Sequence, residues 1–279
     1  MGCRVIEANG GADHLHVLLM FPTTLSIATI VNSLKTTSSL PSSRRAPRAS
    51  RWNNGAPTFS KTLGCVMSAN FHELIHGFHN FREEYLLKEH EFFDRLAHGQ
   101  NPKTLVIACC DSRVDPAILM GCRPGDLFVV RSIAAIVPGV ESAGRPDAVM
   151  AAVEYGVKHL DVHHVIVMGH SNCGGVQGML FPEKIAEEKW IARWTAIGHP
   201  VVEELRREEP DQPLETLVRR SEEGAVLLSI ENLLSYDWIR ERVDAGTLSL
   251  HALYYDIRAK SMYLWNAVEE DFELVTAPH

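Results

Sequence analysis

Residues 104–113 read TLVIACCDSR, and residues 164–175 read HVIVMGHSNCGG. Each stretch begins as a short apolar run, which predicts a strand buried on both faces of a sheet, and each ends in polar or metal-ligating side chains. Similar runs cover residues 126–134 and 248–257, and a helical pattern lies between strands at 146–160. Strands that alternate with helices predict an α/β fold, with a mainly parallel central sheet flanked by helices.

The composition is typical of a soluble globular protein. Of the 279 residues, 46% are hydrophobic and 22% are charged, which excludes collagen, a coiled coil and wholesale disorder. No apolar run approaches the roughly 20 residues that a membrane helix needs, and the start, MGCRVIEANGGAD, is not a secretory signal. We therefore expect a cytoplasmic protein with no membrane partner, whose six Cys are reduced thiols that are free to bind metal.

Two regions of different composition meet near Met67. Residues 1–66 carry seven Lys and Arg against two acids, and their Ser-, Pro- and Arg-rich stretch at 36–57 is typical of a linker. Residues 67–279 carry 20 Lys and Arg against 33 Asp and Glu, which argues against a nucleic-acid groove there. The sequence therefore predicts a poorly structured region or fold fragment at 1–66 and one α/β domain at 67–279.

Metal-ligating side chains follow two of the predicted strands. Cys109 lies at the end of the first predicted strand of this domain. His170 and Cys173 lie at and just past the end of the third. If these strands are neighbours, the three side chains meet beyond the carboxyl ends of the strands, where α/β sheets bind ligands. Two thiolates and one imidazole suit Zn²⁺, and three protein ligands leave a fourth position for water. Cysteines packed as small buried hydrophobes are the competing interpretation, and the residues alone leave both open.

The polar residues after Cys109 favour the metal site, because Asp111 and Arg113 would be costly at a buried strand end unless they were paired. CCDSRVDP (109–116) together with HSNCGG (170–175) resembles the paired zinc signature of the β-class carbonic anhydrases, Cys-x-Asp-x-Arg followed by His-x-x-Cys. The resemblance covers about residues 70–260, so we expect the fold and chemistry of that family.

The resemblance implies a carbonate dehydratase, a lyase that hydrates carbon dioxide reversibly to bicarbonate and a proton by attack of a zinc-bound hydroxide. It implies one Zn²⁺ per chain, held by Cys109, His170 and Cys173. Asp111 and Arg113 would form the catalytic dyad beside the metal, in which Arg113 holds Asp111 ionised and oriented.

The resemblance also implies a mostly apolar substrate pocket. Its residues carry over as Gln100, Phe128, Ile133, Tyr155 and Gly174. Gln100 would offer its amide to bicarbonate, and Gly174 would let the zinc loop turn tightly; for the apolar residues, ordinary core packing is the competing interpretation. In the family one protomer often supplies the Gln and its partner the aromatic walls, so the resemblance implies a homodimer or a higher even oligomer. An N-terminal helical arm at 70–97 would wrap the neighbouring protomer.

Two features depart from the family pattern. Cys110 places a second thiol beside a ligand, where it would compete for zinc or be oxidised. RSIAAIVP (131–138) replaces the more usual Arg-Asn-x-Gly-Asn. Neither change removes a zinc ligand.

HELIH (72–76) matches the HExxH motif of zinc peptidases and lies in a helical pattern. The extended motif needs Gly at position 79 and His at position 82, where this chain has His79 and Arg82. We therefore interpret the motif as a His-rich surface or interface helix.

The N-terminal region contains a second resemblance. Asp13-His14-Leu15-His16, in a predicted strand at 14–21 and followed by a predicted helix at 25–35, resembles the single-tyrosine transposases of insertion sequences. In that family two His bind a divalent metal for DNA cleavage by a Tyr nucleophile. No Tyr precedes Tyr85, so we interpret residues 1–66 as a transposase-like remnant or an upstream-extended start, with no nucleic-acid partner.

Three other functions stay open. A hydrolase of carbon disulfide or carbonyl sulfide would share the fold and the zinc ligands. A DNA-binding or DNA-cleaving protein would use His14 and His16. A structural zinc site without turnover is the third.

Overall fold

The computed structural model describes residues 4–10, 15–20, 69–142 and 147–276. The chain divides into two compact units, Met1–Lys88 and Glu89–His279. Among the described helices, none has the length and apolar character needed to cross a membrane.

In the first unit, two strands form an antiparallel pair, β1 (Arg4–Gly10) and β2 (Leu15–Met20), which confirms the strand predicted at 14–21. Helix α1 (Ala69–Phe81) is followed directly by a π-helical turn, Arg82–Leu86. The predicted helix at 25–35 and the predicted linker at 36–57 lie outside the described residues.

In the second unit, six strands form one sheet with the order β4-β3-β5-β6-β7-β8. The first four in that order are parallel, and β7 and β8 are antiparallel to their neighbours. The strands are β3 (Thr104–Cys109), β4 (Leu127–Ser132), β5 (His164–His170), β6 (Ser249–Asp256), β7 (Ser261–Asn266) and β8 (Asp271–Leu274). The mainly parallel sheet predicted from the apolar runs is therefore confirmed.

The helices of the second unit flank this sheet. They are α2 (His90–Ala97), α3 (Pro116–Leu119), α4 (Ala148–Lys158), α5 (Gly174–Leu180), α6 (Lys189–Thr195), α7 (His199–Glu208), α8 (Leu214–Leu234) and α9 (Asp237–Asp244). Apolar residues of α4, α8 and α9 pack on Leu105 and Ile107 of β3 in the larger core cluster. A second cluster joins α5, α7 and α8 to the ends of the central strands, so the carboxyl edge of the sheet is also covered.

The structure differs from the sequence prediction at two places. The strand predicted at 126–134 ends at Ser132, because Ala134 and Ala135 both adopt positive φ angles, 58° and 55°, that no strand continues through. The hairpin β7–β8 was not predicted, because the apolar run of β7 is only four residues long and β8 has only four residues in all.

Candidate metal centre

Strand order brings the two halves of the predicted metal site together. β3 and β5 are parallel neighbours, with Thr104 opposite His164 and Ala108 opposite Met168. The loops that follow both strands therefore leave from the same edge of the sheet. Cys109 ends β3, His170 ends β5, and Cys173 directly precedes α5.

These three side chains form a buried cluster. Their ligand atoms lie within 4.8 Å of one another, and within the described residues they are the one group of three such side chains that is close enough to hold a metal ion. The Sγ atoms of Cys109 and Cys173 are 3.8 Å apart. Cys109, His170 and Cys173 are each less than 5% exposed.

The electrostatics of the cluster fit a cation. Contacts with the Cys173 thiol and with His170 lower the pKa of the Cys109 thiol, whereas contact with Cys109 and burial raise the pKa of Cys173. Ionisation of one thiol therefore disfavours ionisation of the other. A divalent cation between the two sulfurs would stabilise both thiolates.

The hydrogen bonding of His170 leaves its Nε2 atom free to bind a metal ion. Nδ1 of His170 lies 2.9 Å from the carbonyl oxygen of Ser171; since a carbonyl only accepts, Nδ1 carries the proton and Nε2 is left as the ligand atom. Nε2 is buried and has no hydrogen-bond partner. A buried polar atom of this kind is satisfied by a metal ion, and a Cys₂His donor set is one that Zn²⁺ accepts.

Asp111 and Arg113 form a bidentate ion pair beside the cluster. Arg113 donates from Nε to Oδ1 at 2.9 Å and from a terminal nitrogen to Oδ2 at 2.7 Å, and its backbone N–H also donates to Oδ1. The Arg113 guanidinium holds the pKa of Asp111 well below its usual range. Oδ2 of Asp111 is 4.0 Å from Nε2 of His170. The structure thus places an ionised carboxylate at the edge of the metal cluster.

Arg131 fixes the backbone of the Cys109 loop, a role that the sequence analysis missed. Its guanidinium, at the end of β4, donates to the carbonyl oxygens of Cys109, Asp111 and Val114 at 2.8, 2.6 and 3.0 Å. An arginine at the end of an apolar strand was the available signal, but its carbonyl partners depend on the neighbouring strand.

Glu222 of α8 contacts the backbone of the loop between β5 and α5. The sequence did not indicate this role either. Its carboxylate accepts the backbone N–H of Cys173 at 3.1 Å and the hydroxyl of Tyr254 at 2.7 Å. Burial raises the pKa of Glu222, although both hydrogen bonds oppose that shift.

Of the predicted pocket residues, Ile133 and Gly174 lie near the cluster. Ile133 directly follows Ser132, which is opposite Cys109 in the sheet, and Gly174 is the first residue of α5. A Cβ on Gly174 would meet nothing within 4 Å, and its φ is not positive, so no tight turn requires a glycine there. Asn172 is the loop residue with positive φ, at 54°. The glycine that packing requires is Gly175, where a Cβ would lie 2.5 Å from Cγ2 of Ile133.

The other predicted pocket residues lie away from the cluster within one chain. Phe128 is opposite Leu105, four residues before Cys109, which is roughly 13 Å along the strand at about 3.3 Å per residue. The ring of Tyr155 is 5.9 Å from that of Phe128, and Gln100 is exposed ahead of β3. The structure thus joins Phe128 to Tyr155 but does not bring either to the metal ligands of the same chain.

The two other motifs gather no third ligand in the described part of the chain. His72 and His76 of the HExxH match lie on α1 and belong to no group of three metal-ligating side chains there. His16 lies in β2, and His14 is outside the described residues.

Comparisons with known proteins agree with this geometry. The carbonic anhydrase family model matches residues 104–262. The chain is 35% identical over 209 residues to beta carbonic anhydrase 5, chloroplastic, of Arabidopsis thaliana, an alignment that covers 70% of this chain and 69% of the relative. The solved structure of the beta-carbonic anhydrase CcaA is 31% identical, with a TM-score of 0.69 over 74% of this chain and all of that chain.

A further structure comes from a study of two tetrameric beta-carbonic anhydrases of Sordaria macrospora. It is 28% identical, with a TM-score of 0.62 over 72% of this chain and 98% of that chain. Residues 1–67 match a separate model, the IS200-like transposases, which confirms the second resemblance. From residue 104 onward, the sequence match, the shared fold and the Cys109–His170–Cys173 cluster agree, and the chain belongs to the β-class carbonic anhydrase family.

Proposed function

We propose that the zinc-dependent hydration of carbon dioxide takes place at the Cys109–His170–Cys173 cluster, with one Zn²⁺ per chain. The observation that carries this proposal is the meeting of two thiols and one unpartnered imidazole nitrogen within 4.8 Å. Bound zinc supplies a Lewis acid that lowers the pKa of a water molecule to about 7 and makes a nucleophile available near neutral pH.

Asp111 and Arg113 orient the attacking water in this proposal. Asp111 is ionised, so its Oδ2 only accepts hydrogen bonds. When Oδ2 accepts a hydrogen bond from the water, the lone pair on the water oxygen would point away from the carboxylate and toward the carbon of the substrate. Arg113 keeps both oxygens of Asp111 in place and also donates to the Asn172 carbonyl at 3.1 Å, which ties the dyad to the second loop. Water and carbon dioxide give bicarbonate, and one proton leaves to solvent.

We propose that Ile133 and Gly174 line the substrate pocket of their own chain, and that the pocket is completed where two copies meet, with Gln100 from one copy and Phe128 and Tyr155 from the other. Support comes from the exposed aromatic side chain of Tyr155 and from the position of Phe128, which lies roughly 13 Å along the sheet from Cys109 at about 3.3 Å per residue. In α1, Leu74 and Phe78 are also more than half exposed, and exposed apolar side chains of this size commonly mark interfaces.

The functional form is therefore a homodimer or a higher even oligomer, as the tetrameric Sordaria relatives also suggest. Light scattering during size-exclusion chromatography measures its mass. A fully active monomer would contradict the shared pocket.

We propose that residues 67–279 form the carbonic anhydrase domain and that residues 1–66 are a transposase-like remnant with no role in catalysis. The missing Tyr before Tyr85 supports this division. A DNA hairpin that binds the full chain specifically would contradict it.

We also propose a cytoplasmic location for this chain; fluorescence microscopy of a C-terminally tagged chain tests it.

Substrate choice decides between this function and a related hydrolase. The experiment is to measure carbon dioxide hydration by stopped flow, and carbonyl sulfide and carbon disulfide hydrolysis, on the same zinc-loaded preparation of the full chain. Rapid carbon dioxide hydration is the expected result. Hydrolysis of the sulfur compounds without hydration of carbon dioxide would overturn the proposal.

A further inference from the structure

A buried carboxylate, that of Glu222, contacts the backbone of the loop Ser171–Cys173 between β5 and α5. Glu222 of α8 is 3% exposed. Its Oε1 accepts the backbone N–H of Cys173, and its Oε2 accepts the hydroxyl of Tyr254. A carboxyl group at this depth is costly unless hydrogen bonds compensate for lost water, and these two contacts account for its place in the core.

Close packing brings α8 to this position. A Cβ on Gly169, the residue before His170, would lie 2.4 Å from Cγ2 of Val226 and 3.5 Å from the carbonyl oxygen of Glu222. The absence of a side chain at Gly169 therefore lets the helix approach the end of β5, and Glu222 reaches the backbone of Cys173 only because of that approach.

The contacts of Glu222 continue into a wider network. The guanidinium of Arg219 lies 3.9 Å from the ring centre of Tyr254, and Arg219 pairs with Glu223 at 2.5 Å and with Asp256 at 3.3 Å. The hydroxyl of Ser171, in turn, accepts the backbone N–H of Ile257 at 2.9 Å. The loop from Ser171 to Cys173 is thus attached at one end to the turn after β6 and at the other end to α8.

We propose that Glu222 is a positioning residue for the metal centre, which holds the Cys173 backbone so that its sulfur faces Cys109 and His170 before the ion arrives. The hydrogen bonds of Glu222 to this loop go to backbone groups, so it acts on the metal centre through the loop backbone. The inference rests on the proposed assignment of the three zinc ligands. Its consequence is tight metal retention, because a ligand that is already in place loses little order on binding.

The test compares three full-length variants with the wild type. Glu222→Leu removes the acceptor, Glu222→Gln keeps an oxygen for the Cys173 N–H, and Glu231→Gln is the matched control at an exposed position of the same helix. Zinc affinity is measured by competition with a chromophoric chelator, and the ligand geometry is read from the absorption spectrum of the cobalt-substituted protein. We expect Glu222→Leu to bind zinc about 10- to 100-fold more weakly with an altered cobalt spectrum, and Glu222→Gln and the control to stay near the wild type.

A folded Glu222→Leu protein with wild-type zinc affinity and cobalt spectrum would overturn the inference. Should Glu222→Leu fail to fold, amide hydrogen exchange on the metal-free wild type decides the question. The proposal requires a protected Cys173 N–H without metal, and free exchange there would refute it. If the wild type binds zinc but does not hydrate carbon dioxide, the proposed function fails while the result for Glu222 still stands.

Discussion

In the proposed mechanism, Asp111 is the residue on which the chemistry depends most after the three zinc ligands. Arg113 engages both of its oxygens, and Oδ2 still lies 4.0 Å from Nε2 of His170. A carboxylate held in this way stays ionised near neutral pH and therefore acts as a hydrogen-bond acceptor there.

We expect Asp111→Asn to retain zinc but to lose about 100-fold in kcat/KM, since an amide can present its NH₂ group to the water and no longer enforces acceptance. Zinc analysis and stopped-flow hydration measure the two effects. Asp126→Asn makes the same chemical change at a carboxylate that accepts the backbone N–H of Arg123. This control should match the wild type in zinc content and in hydration rate. Full activity in Asp111→Asn would refute the orienting role.

The same ion pair predicts a pH dependence of stability. The folded pKa of Asp111 is lowered, so the pair stabilises the fold above the unfolded pKa of about 3.9. That stabilisation is lost as the pH falls through the lower, folded pKa. In metal-free protein, the difference in unfolding free energy between wild type and Asp111→Asn should be constant from about pH 5 to 7 and should shrink below about pH 4. A difference that grows toward acid pH would contradict the assigned direction.

At this scale the sequence predicted the residues whose spacing carries the signal. Cys109 and His170 end strands and Cys173 directly precedes a helix, and their meeting was predicted on the condition that β3 and β5 are neighbours, which the structure meets. Arg131 and Glu222 could not be predicted, because each acts on backbone groups of another element. Their partners exist only after β3, β4, β5 and α8 have packed.

At the scale of elements, the connection after β4 carries local strain. Ala134 and Ala135 both have positive φ, a conformation that costs roughly 1–2 kcal/mol for a residue with a Cβ. Gly175 packs against this turn, and a Cβ there would lie 2.9 Å from the Cβ of Ala134. Packing against the start of α5 therefore maintains a backbone conformation that alanine disfavours.

We expect Ala134→Gly to leave the free energy of unfolding nearly unchanged, because relief of about 1–2 kcal/mol of strain offsets the added freedom of the unfolded chain and the loss of a buried methyl group. Ala151→Gly, in the exposed interior of α4, is the control and should lower it by about 1 kcal/mol. Chemical denaturation measures both. Destabilisation by Ala134→Gly equal to that of the control would show that the turn is not strained.

The elements themselves followed the sequence pattern where apolar runs were long. β3, β5 and β6 lie within one or two residues of their predicted bounds. The connection after β4 was missed because its two positive φ angles occur at alanines, which give no turn signal. Alanine is common in both strands and helices, so neither Ala134 nor Ala135 indicates a turn in the sequence.

At the scale of the whole molecule, the proposed division near Met67 predicts that catalysis needs only the C-terminal part. A chain consisting of residues 67–279 should bind one zinc and hydrate carbon dioxide at the rate of the full chain within about twofold, because all three proposed ligands and the dyad lie within it. Stopped-flow hydration and zinc analysis compare the two. Loss of zinc on removal of residues 1–66, in a fragment that still folds, would contradict this division.

The most direct test of the metal centre is the zinc content and carbon dioxide hydration rate of the full chain, measured side by side with Cys173→Ser and Cys110→Ser. Cys173 is buried in the cluster, whereas Cys110 is the exposed neighbouring thiol. We predict about one zinc per chain and full activity in the wild type and in Cys110→Ser, and loss of both in Cys173→Ser. A folded Cys173→Ser protein that keeps its zinc and its activity would contradict the Cys109–His170–Cys173 site.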